Sequence, residues 1–584
     1  RRKTMSEEPE KKRLLPPDKA REIDHQLRGQ IAAATRGMSP VDIAAAVVDW
    51  AGHLVLSPGK LLSLAESLAR NGVELAKING KAMRPNGEDL PQIADRRMMS
   101  EDWQKWPFNV FAHGHRLAKG LATEATTGVD GVSKDHEQLV SFLANQIVEM
   151  ASPANVPVTN PEFIMTTKGE RGANLKRGVR NLAEDMRRKR TGELPQGLEN
   201  FVVGKDIGIT PGKVVYQNRL FELIQYKPQT EEVASEPVLI VPAWIMKYYI
   251  LDLSPRNSLV RYLVSQGKTV FIMSWKNPDE KDRHLGMHEY LHEGVMGAID
   301  AVSTIVPKRK MHAVGYCLGG TLLSIAAAYM ARERDDRLKT MSLFAAQIDF
   351  REAGEITTML GEGTFTFLEA LMRKQGYLGM ENMTGAFASL RVSDLVYDPM
   401  FQRYLLGKDR SLNDLMAWNE DGTRMPYKMH TEYLRNCYME NNLAEARYEV
   451  SGKPVCVGDI QVPTFVLGTA TDHVAPWKSV YKAMRLMNNE MTFALTTGGH
   501  NAGIACGPDH PRRKHWIATR QPGDLYVDPD EWQAQNELVD GSWWPVWDAW
   551  LDARSSGQRK PPSMGKPKAG YKPLRDAPGV YVFG

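Results

Sequence analysis

Apolar residues in the second half of the chain form short continuous runs that alternate with helical stretches. Residues 213–227 predict two short strands around a turn. Six further runs are apolar throughout and end at turn residues, which is typical of strands buried on both faces: 237–242, 268–275, 310–316, 341–350, 463–472 and 491–499. Helical patterns lie at 257–266, 288–306, 318–332, 478–488 and, rich in Trp, at 541–551. The alternation predicts an α/β fold with a mostly parallel sheet and helices on both faces.

The same patterning divides the chain into regions. Residues 1–36 are charged and nearly free of β-branched and aromatic side chains, so we expect a disordered tail. Residues 37–200 predict a helical N-terminal domain, whose amphipathic stretch at 39–71 either packs on its own domain or lies on a hydrophobic surface. Residues 201–350 and 456–584 predict the two parts of the α/β core. The stretch 351–455 between them is too long for a loop and predicts a helical cap over one end of the sheet.

Composition narrows the classes of function. The chain has 584 residues, of which 42% are hydrophobic and 25% charged, as in ordinary globular proteins. Lys and Arg number 74 against 70 Asp and Glu, a margin too small to indicate a nucleic-acid partner. Four cysteines cannot form a disulfide scaffold in so long a chain, so we expect a reducing compartment, the cytoplasm. Because no run of about 18 apolar residues occurs, we predict no transmembrane segment.

The strongest chemical motif lies between the predicted strand at 310–316 and the helix that follows. Gly315 to Gly319 match the nucleophile-elbow pattern G-x-S-x-G, with Cys317 in place of Ser. The glycines fit where a Cβ would strike neighbouring backbone, and the helix N-terminus favours a thiolate. The amide of Leu318 would point at a developing oxyanion. The remaining cysteines lack this setting and are expected to be inert small hydrophobes: Cys437, Cys456 and Cys506.

An elbow nucleophile requires an acid and then a histidine later in the chain. Asp472 ends the predicted strand 463–472, and His500 follows the strand 491–499. Since active sites of open parallel sheets gather at the carboxyl ends of the strands, we predict a Cys317, Asp472, His500 triad. His473 is expected to have a supporting role or a local packing role.

The second oxyanion donor is expected after the strand 237–242, from the amide of Ala243 or Trp244. This assignment is by analogy with the fold, because backbone amides carry no side-chain signature.

A competing motif indicates zinc. His288, Glu289 and His292 match H-E-x-x-H, with His284 one turn earlier and His312 further on. A zinc site requires its ligands to converge in one cleft. His312, however, opens the strand that leads to the elbow, at the opposite end of the sheet, and the helix is also explained as a crossover between strands. We therefore predict no metal site here.

Many segments, in order from about residue 90 to the C-terminus, resemble the polyhydroxyalkanoate synthase family, and the single-subunit class I type best. They are GYCLGGTLL at the elbow, SPANVPVTNPEF (152–163), YYILDLSPRNSLVRYLVSQGKTVFIMSWKNPD (248–279), WNEDGTRMP (418–426), TEYLRNCYMENNL (431–443), TDHVAPW (471–477) and SWWPVWDAWL near the end.

The resemblance implies an α/β-hydrolase fold with a helical N-terminal region and a cap that contributes to a homodimer. It implies polymerisation of short (R)-3-hydroxyacyl-CoA, such as 3-hydroxybutyryl-CoA, into a polyester with release of CoA and without a cofactor. Cys317 is then the acylated nucleophile, His500 the base and Asp472 its partner. The implied location is the cytoplasm, at the surface of polyester granules and beside granule-coat proteins.

Three positions depart from the pattern expected of this family. Ala243 and Met246 stand where Pro and Asn are usual, and Asn501 stands where an aliphatic residue is usual. All three lie beside the predicted site, so they bear on pocket shape rather than on the chemistry. Two alternatives stay open: a hydrolase of the same fold (an esterase, thioesterase or polyester depolymerase), and a non-catalytic granule-coat or scaffold protein that uses its amphipathic N-terminus.

Overall fold

The computed structural model describes residues 16–35, 37–83, 90–91, 93–383, 385 and 392–584. The central element of the described chain is an eleven-stranded sheet. Its strands are β1 (Gly212–Gln217), β2 (Phe221–Tyr226), β3 (Val238–Val241), β4 (Val270–Trp275), β5 (Met311–Tyr316), β6 (Leu338–Phe344), β7 (Thr464–Thr469), β8 (Met491–Thr496), β9 (Lys514–Arg520), β10 (Val539–Asp540) and β11 (Arg575–Asp576).

The middle of this sheet is parallel. The spatial order is β10-β9-β8-β7-β6-β5-β3-β4-β2-β1-β11. The strands from β8 to β4 in that order run parallel to one another, and the strands beyond them at both edges pair antiparallel. The predicted α/β fold is therefore confirmed. The carboxyl ends of the parallel strands meet at one edge, which is where ligands bind in open α/β sheets.

Three predicted strands end several residues before their predicted boundaries: β7 at Thr469 and β8 at Thr496, three residues early, and β6 by the widest margin. The apolar run 341–350 predicts a strand to Phe350, but β6 ends at Phe344. The chain turns at Ala345, whose φ of 45° lies in the left-handed region, and it continues to Phe350 as a buried connection. Continuous apolarity identifies buried chain but does not separate a buried strand from a buried loop.

Seven helices precede the sheet: α1 (Pro17–Thr35), α2 (Pro40–Val55), α3 (Pro58–Ala82), α4 (Phe108–Thr126), α5 (Lys134–Met150), α6 (Pro161–Gly169) and α7 (Ala173–Thr191). Three of them begin after a side chain that accepts a hydrogen bond from an N–H of the first turn, which stabilises a helix start: Ser39, Ser133 and Asn160.

The longer helices of the core and the cap follow: α8 (Leu259–Ser265), α9 (Gly297–Ile305), α10 (Leu318–Glu333), α11 (Glu362–Gln375), α12 (Asp414–Asn419), α13 (Tyr427–Tyr433), α14 (Trp477–Tyr481), α15 (Ala483–Leu486), α16 (Pro529–Gln535) and α17 (Trp544–Asp552). Helices α11 to α13 lie in the cap, together with π-helical stretches at Ser393–Tyr397, Phe401–Leu405 and Leu434–Met439.

Helices cover both faces of the sheet. Alternate residues of β3 enter two different apolar clusters, Val238 and Ile240 one of them and Leu239 and Val241 the other. The first cluster contains side chains of α8 and α17, and the second contains side chains of α9 and α10. This is the burial pattern of a strand between two helical layers.

The expected disordered tail is wrong for residues 17–35, which form α1. This helix packs on α11 of the cap. At Gly29 the approach is close, since a Cβ there would lie 3.4 Å from the carbonyl oxygen of Ala370. The segment gains its order from a partner far along the chain, which its own composition does not reveal. Residues 1–15 and 36 of the expected tail lie outside the described residues.

The N-terminal helices hold the cap at two further places. Asp42 at the start of α2 accepts a hydrogen bond of 2.8 Å from the amide of Thr364 in the first turn of α11. Near the other end of the helical region, Asp185 of α7 forms an ion pair with Arg403, with an N–O distance of 2.5 Å. Gly178 lies so close to the cap that a Cβ would meet the carbonyl oxygen of Tyr404 at 1.9 Å.

In the described part of the chain, no single helix is long and apolar enough to cross a membrane, although a bent pair formed by residues 19–35 and 40–55 passes that test by length and composition alone.

Candidate active site

Cys317 stands on a strained turn between β5 and α10. Its backbone has φ 52° and ψ −124°, a conformation that a non-glycine residue adopts only when its surroundings enforce it. The neighbouring glycines permit the close packing. A Cβ on Gly315 would lie 2.3 Å from the Cα of Gly320, and a Cβ on Gly319 would lie 2.1 Å from the carbonyl oxygen of Val241. The Cys317 amide donates to the carbonyl of β6 at Phe344, at 2.9 Å, which ties the elbow to the sheet.

Asp472 and His500 follow β7 and β8, at the same edge of the sheet as the elbow. Nδ1 of His500 lies 2.8 Å from Oδ2 of Asp472. The other carboxylate oxygen accepts hydrogen bonds of 2.9 Å from the amides of Val474 and Ala475, and the Thr469 hydroxyl donates to Oδ2 at 2.7 Å. The carboxylate is thus fully buried yet hydrogen-bonded on both oxygens, and it fixes the orientation of the imidazole.

The electrostatics of the pair follow from this contact. Burial opposes ionisation of Asp472, but the charge of His500 and the hydrogen bonds to the carboxylate outweigh it and lower its pKa. Burial alone would lower the pKa of His500, whereas Asp472 and the Cys317 sulfur raise it well above its ordinary value of 6.5. The contact with the carboxylate fixes the orientation of the imidazole and stabilises its protonated form, which is the role of the acid in such a triad.

The Cys317 side chain also acts on His500, since it contributes to raising the pKa of the imidazole. The structure therefore brings the three predicted residues together at one edge of the sheet. Burial raises the pKa of the phenols of Tyr433 and Tyr438 in the cap, and the charge of Cys317 adds to this effect on both. Tyr433 is buried, whereas Tyr438 and Cys317 are each half-buried, so the cap covers the nucleophile only in part.

The predicted oxyanion donors surround the elbow. Leu318 is the first residue of α10, where amides have no partner within the helix. Ala243 and Trp244 follow β3 in a loop that packs directly on the elbow glycines. Trp275 donates its indole N–H to Pro242 O at 2.9 Å, which holds this loop. Among described residues, no acceptor is paired with the amides of the three predicted donors.

His473 is half-buried beside Asp472. Its carbonyl accepts a hydrogen bond of 3.4 Å from Glu355 of the cap. The residue also lines a cavity of about 1500 Å³ between the N-terminal helices and the core. Its supporting role stays a prediction.

Two of the three departures from the family pattern make contacts within the described chain. Met246 pairs with Gly422 of the cap in an isolated β-bridge, and Asn501 accepts a hydrogen bond from the hydroxyl of Tyr316. Sequence reasoning missed the Thr469 hydroxyl on Asp472 and the third elbow glycine, Gly320. The doubled glycine in GYCLGG was the available signal for Gly320.

The histidines of the H-E-x-x-H motif do not form a metal cluster within the described chain. The ring centroids of His288 and His292 lie 4.4 Å apart, with the ring planes tilted by 50°, and Nε2 of His292 lies 3.3 Å from the Ser451 hydroxyl. His312 lies at the other end of β5, where its nitrogens contact Thr340 and Ser555 at 2.8 Å and 3.2 Å.

A different trio with metal-ligand spacing, Asp95, His115 and Glu149, occurs among the N-terminal helices. Arg97 pairs with both carboxylates of this trio, and Lys119 pairs with Glu149 at 2.6 Å. Side-chain cations thus already occupy the carboxylates, and this is an ion-pair cluster rather than a cation site.

Three stretches of the chain match known protein families. Residues 18–60 match the family described as "Poly-beta-hydroxybutyrate polymerase N terminal", residues 94–263 match "Poly-beta-hydroxybutyrate polymerase (PhaC) N-terminus", and residues 236–504 match "alpha/beta hydrolase fold". Among solved structures, a monoacylglycerol lipase of Paleococcus ferrophilus is 14% identical with a TM-score of 0.30, covering 56% of this chain and 98% of that one.

Curated relatives agree along most of the chain. The poly(3-hydroxyalkanoate) polymerase subunit PhaC of Rhizobium meliloti (strain 1021) is 37% identical over 84% of this chain and 80% of its own length. The corresponding subunit of Cupriavidus necator is 33% identical over 94% of this chain and 92% of its own length. The poly(3-hydroxyalkanoate) polymerase of Methylorubrum extorquens is 37% identical over 87% of this chain and 83% of its own length. With this similarity, and with an α/β-hydrolase core around the elbow, the chain belongs to the poly(3-hydroxyalkanoate) polymerase family and is an enzyme that polymerises hydroxyalkanoates.

Proposed function

We propose that this polymerase is a class I enzyme that extends a polyester from short (R)-3-hydroxyacyl-CoA, with 3-hydroxybutyryl-CoA as the preferred substrate, through a Cys317–His500–Asp472 triad. The observation that carries the proposal is the 2.8 Å contact of His500 with Asp472, at the edge of the sheet where Cys317 stands on the elbow and contributes to raising the pKa of the imidazole. The resemblance to single-subunit synthases supports the substrate class.

The first step is transfer of the acyl group to the enzyme. His500 takes the proton of the Cys317 thiol, and the sulfur attacks the thioester carbonyl of the substrate. The amides of Leu318 and of Ala243 or Trp244 stabilise the oxyanion of the tetrahedral intermediate. The carbon–sulfur bond to CoA then breaks, His500 returns its proton to the leaving thiolate, and free CoA departs.

The second step forms the ester bond. The 3-hydroxyl of another acyl unit loses its proton to His500, and its oxygen attacks the carbonyl of the acyl-enzyme. The bond to Cys317 breaks, and the sulfur leaves and recovers the proton. Asp472 stabilises the imidazolium that forms in both steps. Each cycle lengthens the polyester by one unit.

A cysteine suits this sequence of steps better than a serine. Exchange of one thioester for another is nearly balanced, so the acyl group on Cys317 stays activated for the hydroxyl. A serine ester would lose that activation before the new ester forms. Water would compete with the hydroxyl as a nucleophile, so the site must exclude it. The cap side chains of Tyr433, which is buried, and Tyr438, which is half-buried, support such exclusion.

The surface of the N-terminal helices supports association with polyester granules in the cytoplasm. Where α2 ends and α3 begins, large apolar side chains are exposed to solvent: Val55 is 73% exposed, Leu56 80% and Leu62 73%. An exposed apolar face of this kind fits the surface of a hydrophobic polymer. A homodimer formed through the cap, with granule-coat proteins as further partners, is the assembly that the family resemblance implies.

Product analysis with 3-hydroxybutyryl-CoA tests the proposal. We expect free CoA together with insoluble polymer from the wild-type enzyme, no CoA release from Cys317→Ala, and strongly reduced polymer from Cys317→Ser. Cys456→Ala removes a half-buried cysteine away from the elbow and is the matched control, expected to match the wild type. Release of CoA with free 3-hydroxy acid would instead indicate a hydrolase, and activity of Cys317→Ala would overturn the assignment of the nucleophile.

A further inference from the structure

A side-chain hydrogen bond joins the residue before the predicted nucleophile to the residue after the predicted base. The hydroxyl of Tyr316 donates to Oδ1 of Asn501 at 2.5 Å. The two residues are 185 positions apart in the chain. Tyr316 ends β5 and immediately precedes Cys317, while Asn501 immediately follows His500. The bond therefore spans directly from the elbow to the loop that carries the imidazole.

The tyrosine contacts the base as well as bonding to its neighbour. Its ring centroid lies 5.7 Å from that of His500, with 31° between the ring planes. Tyr316 is 2% exposed and Asn501 is half-buried, and a hydrogen bond from a buried donor is stronger than one in water. Burial, with the charges of Cys317 and Asp472, raises the pKa of the phenol well above 10, so Tyr316 remains a proton donor at working pH.

Elsewhere the elbow and the histidine loop are held by separate anchors. Cys317 is bonded to β6 through its amide, whereas the histidine loop is held from its far side by Arg513, which donates to Ala502 O at 2.7 Å and to Thr497 O at 3.1 Å. Asp472 fixes the imidazole through Nδ1. These contacts set the orientation of the ring, but none of them joins the backbone of His500 to that of the nucleophile.

We propose that Tyr316 and Asn501 are positioning residues, whose hydrogen bond sets the distance between the His500 imidazole and the Cys317 sulfur. The inference rests on the catalytic roles proposed above for Cys317 and His500. The two residues do not exchange protons with substrate; they act through the base, Tyr316 by packing along the imidazole and Asn501 by holding its backbone.

The contact matters because the same imidazole serves two proton donors. In acyl transfer it must reach a sulfur fixed on the elbow, and in ester formation it must reach a hydroxyl brought by the substrate. Only the first distance is set entirely by the protein. Loss of the bond should therefore reduce activation of the Cys317 thiol while leaving substrate binding nearly unchanged.

The test uses Tyr316→Phe, Asn501→Leu and the double variant. Both replacements conserve size and remove one partner of the bond. Alkylation of Cys317 by iodoacetamide at pH 7 is measured by peptide mass analysis, and we expect each single variant to slow it about tenfold. We expect kcat to fall by a similar factor, with KM within about twofold of the wild-type value. The double variant should be no slower than the slower single variant, because both changes remove the same bond.

Tyr481→Phe is the matched control. Tyr481 also donates from a buried phenol, to the carbonyl oxygen of Val527 at 3.0 Å, so its loss has a similar effect on stability and is expected to leave thiol reactivity and kcat unchanged. Circular dichroism verifies that each variant is folded, and Asn501→Leu tests the same bond if Tyr316→Phe does not fold.

Three outcomes are informative. Wild-type-like alkylation and kcat in both single variants would overturn the positioning role, and so would losses that multiply in the double variant. If alkylation of Cys317 in the wild type leaves polymerisation intact, the proposed nucleophile itself is wrong, which separates that failure from failure of the positioning role.

Discussion

Replacement of Gly319 by alanine is the sharpest test of how the elbow is built. A Cβ at this position would lie 2.1 Å from the carbonyl oxygen of Val241 and 2.6 Å from that of Pro242. Both are backbone atoms at the end of β3, and no side-chain rotation can relieve the contact. Either the elbow or the loop after β3 must move by about 1 Å to restore an ordinary separation.

That displacement acts on the proposed oxyanion donors. The loop carries the amides of Ala243 and Trp244, and the elbow carries the amide of Leu318. A shift of about 1 Å would lengthen an oxyanion hydrogen bond beyond useful range, and loss of one such donor lowers kcat by about 10²- to 10³-fold. Overpacking of the interior adds a loss of about 1 to 3 kcal/mol in the free energy of unfolding. We therefore expect Gly319→Ala to lower kcat at least about 100-fold in a protein that still folds.

The assay is the rate of CoA release from 3-hydroxybutyryl-CoA, with thermal unfolding measured in parallel. Gly72→Ala is the matched control, because Gly72 lies in α3 with no atom within 4 Å of the added Cβ. Alanine in a helix interior should stabilise α3 by about 0.5 to 1 kcal/mol and leave kcat unchanged. A folded Gly319→Ala enzyme with kcat within threefold of the wild type would refute the reasoning.

Two further predictions concern titratable groups. Asp472→Asn removes the charge that raises the pKa of His500. Because a hydroxyl is far less acidic than a thiol, we expect chain growth to slow at least about tenfold more than the first acylation, as measured by pre-steady-state CoA release. Equal losses in the two steps would count against the role of Asp472. Burial lowers the pKa of His312 from 6.5 to about 4. The neutral imidazole therefore adds to the free energy of unfolding above pH 6.5, and this contribution, about 3 kcal/mol, is lost as the pH falls to 4 and below. His312→Gln should therefore show a smaller fall in melting temperature between pH 6.5 and 4 than the wild type, and an unchanged fall would contradict this account.

The sequence was informative where local pattern determines structure. Uninterrupted apolar runs predicted the parallel strands, and two glycines around Cys317 predicted the elbow, because a sharp strand-to-helix turn has few solutions in residue type. Asp472 and His500 could be selected since each follows a strand at the edge where parallel strands end. The parallel α/β architecture thus follows from short-range signals.

Features that depend on distant partners were not predictable in this way. Residues 17–35 have the composition of a disordered segment, yet they form a helix on α11. The hydrogen bond of Tyr316 with Asn501 joins residues that no local pattern connects. The antiparallel strand β9 was also missed, since its half-exposed residues from Lys514 to Arg520 lack the continuous apolarity of the central strands.

The attachment of the N-terminal helices to the cap has a consequence for synthesis on the ribosome. The amide of Ser39 and the hydroxyl of Thr364, which meet at 3.3 Å, are 325 residues apart. Translation proceeds at about 5 to 20 residues per second, so the first helices emerge tens of seconds before the segment on which they come to rest. Throughout that interval α1 lacks α11, the helix on which it packs, although α2 can already pack on α3 and α5. The newborn enzyme therefore carries an uncovered α1 until its cap has been made.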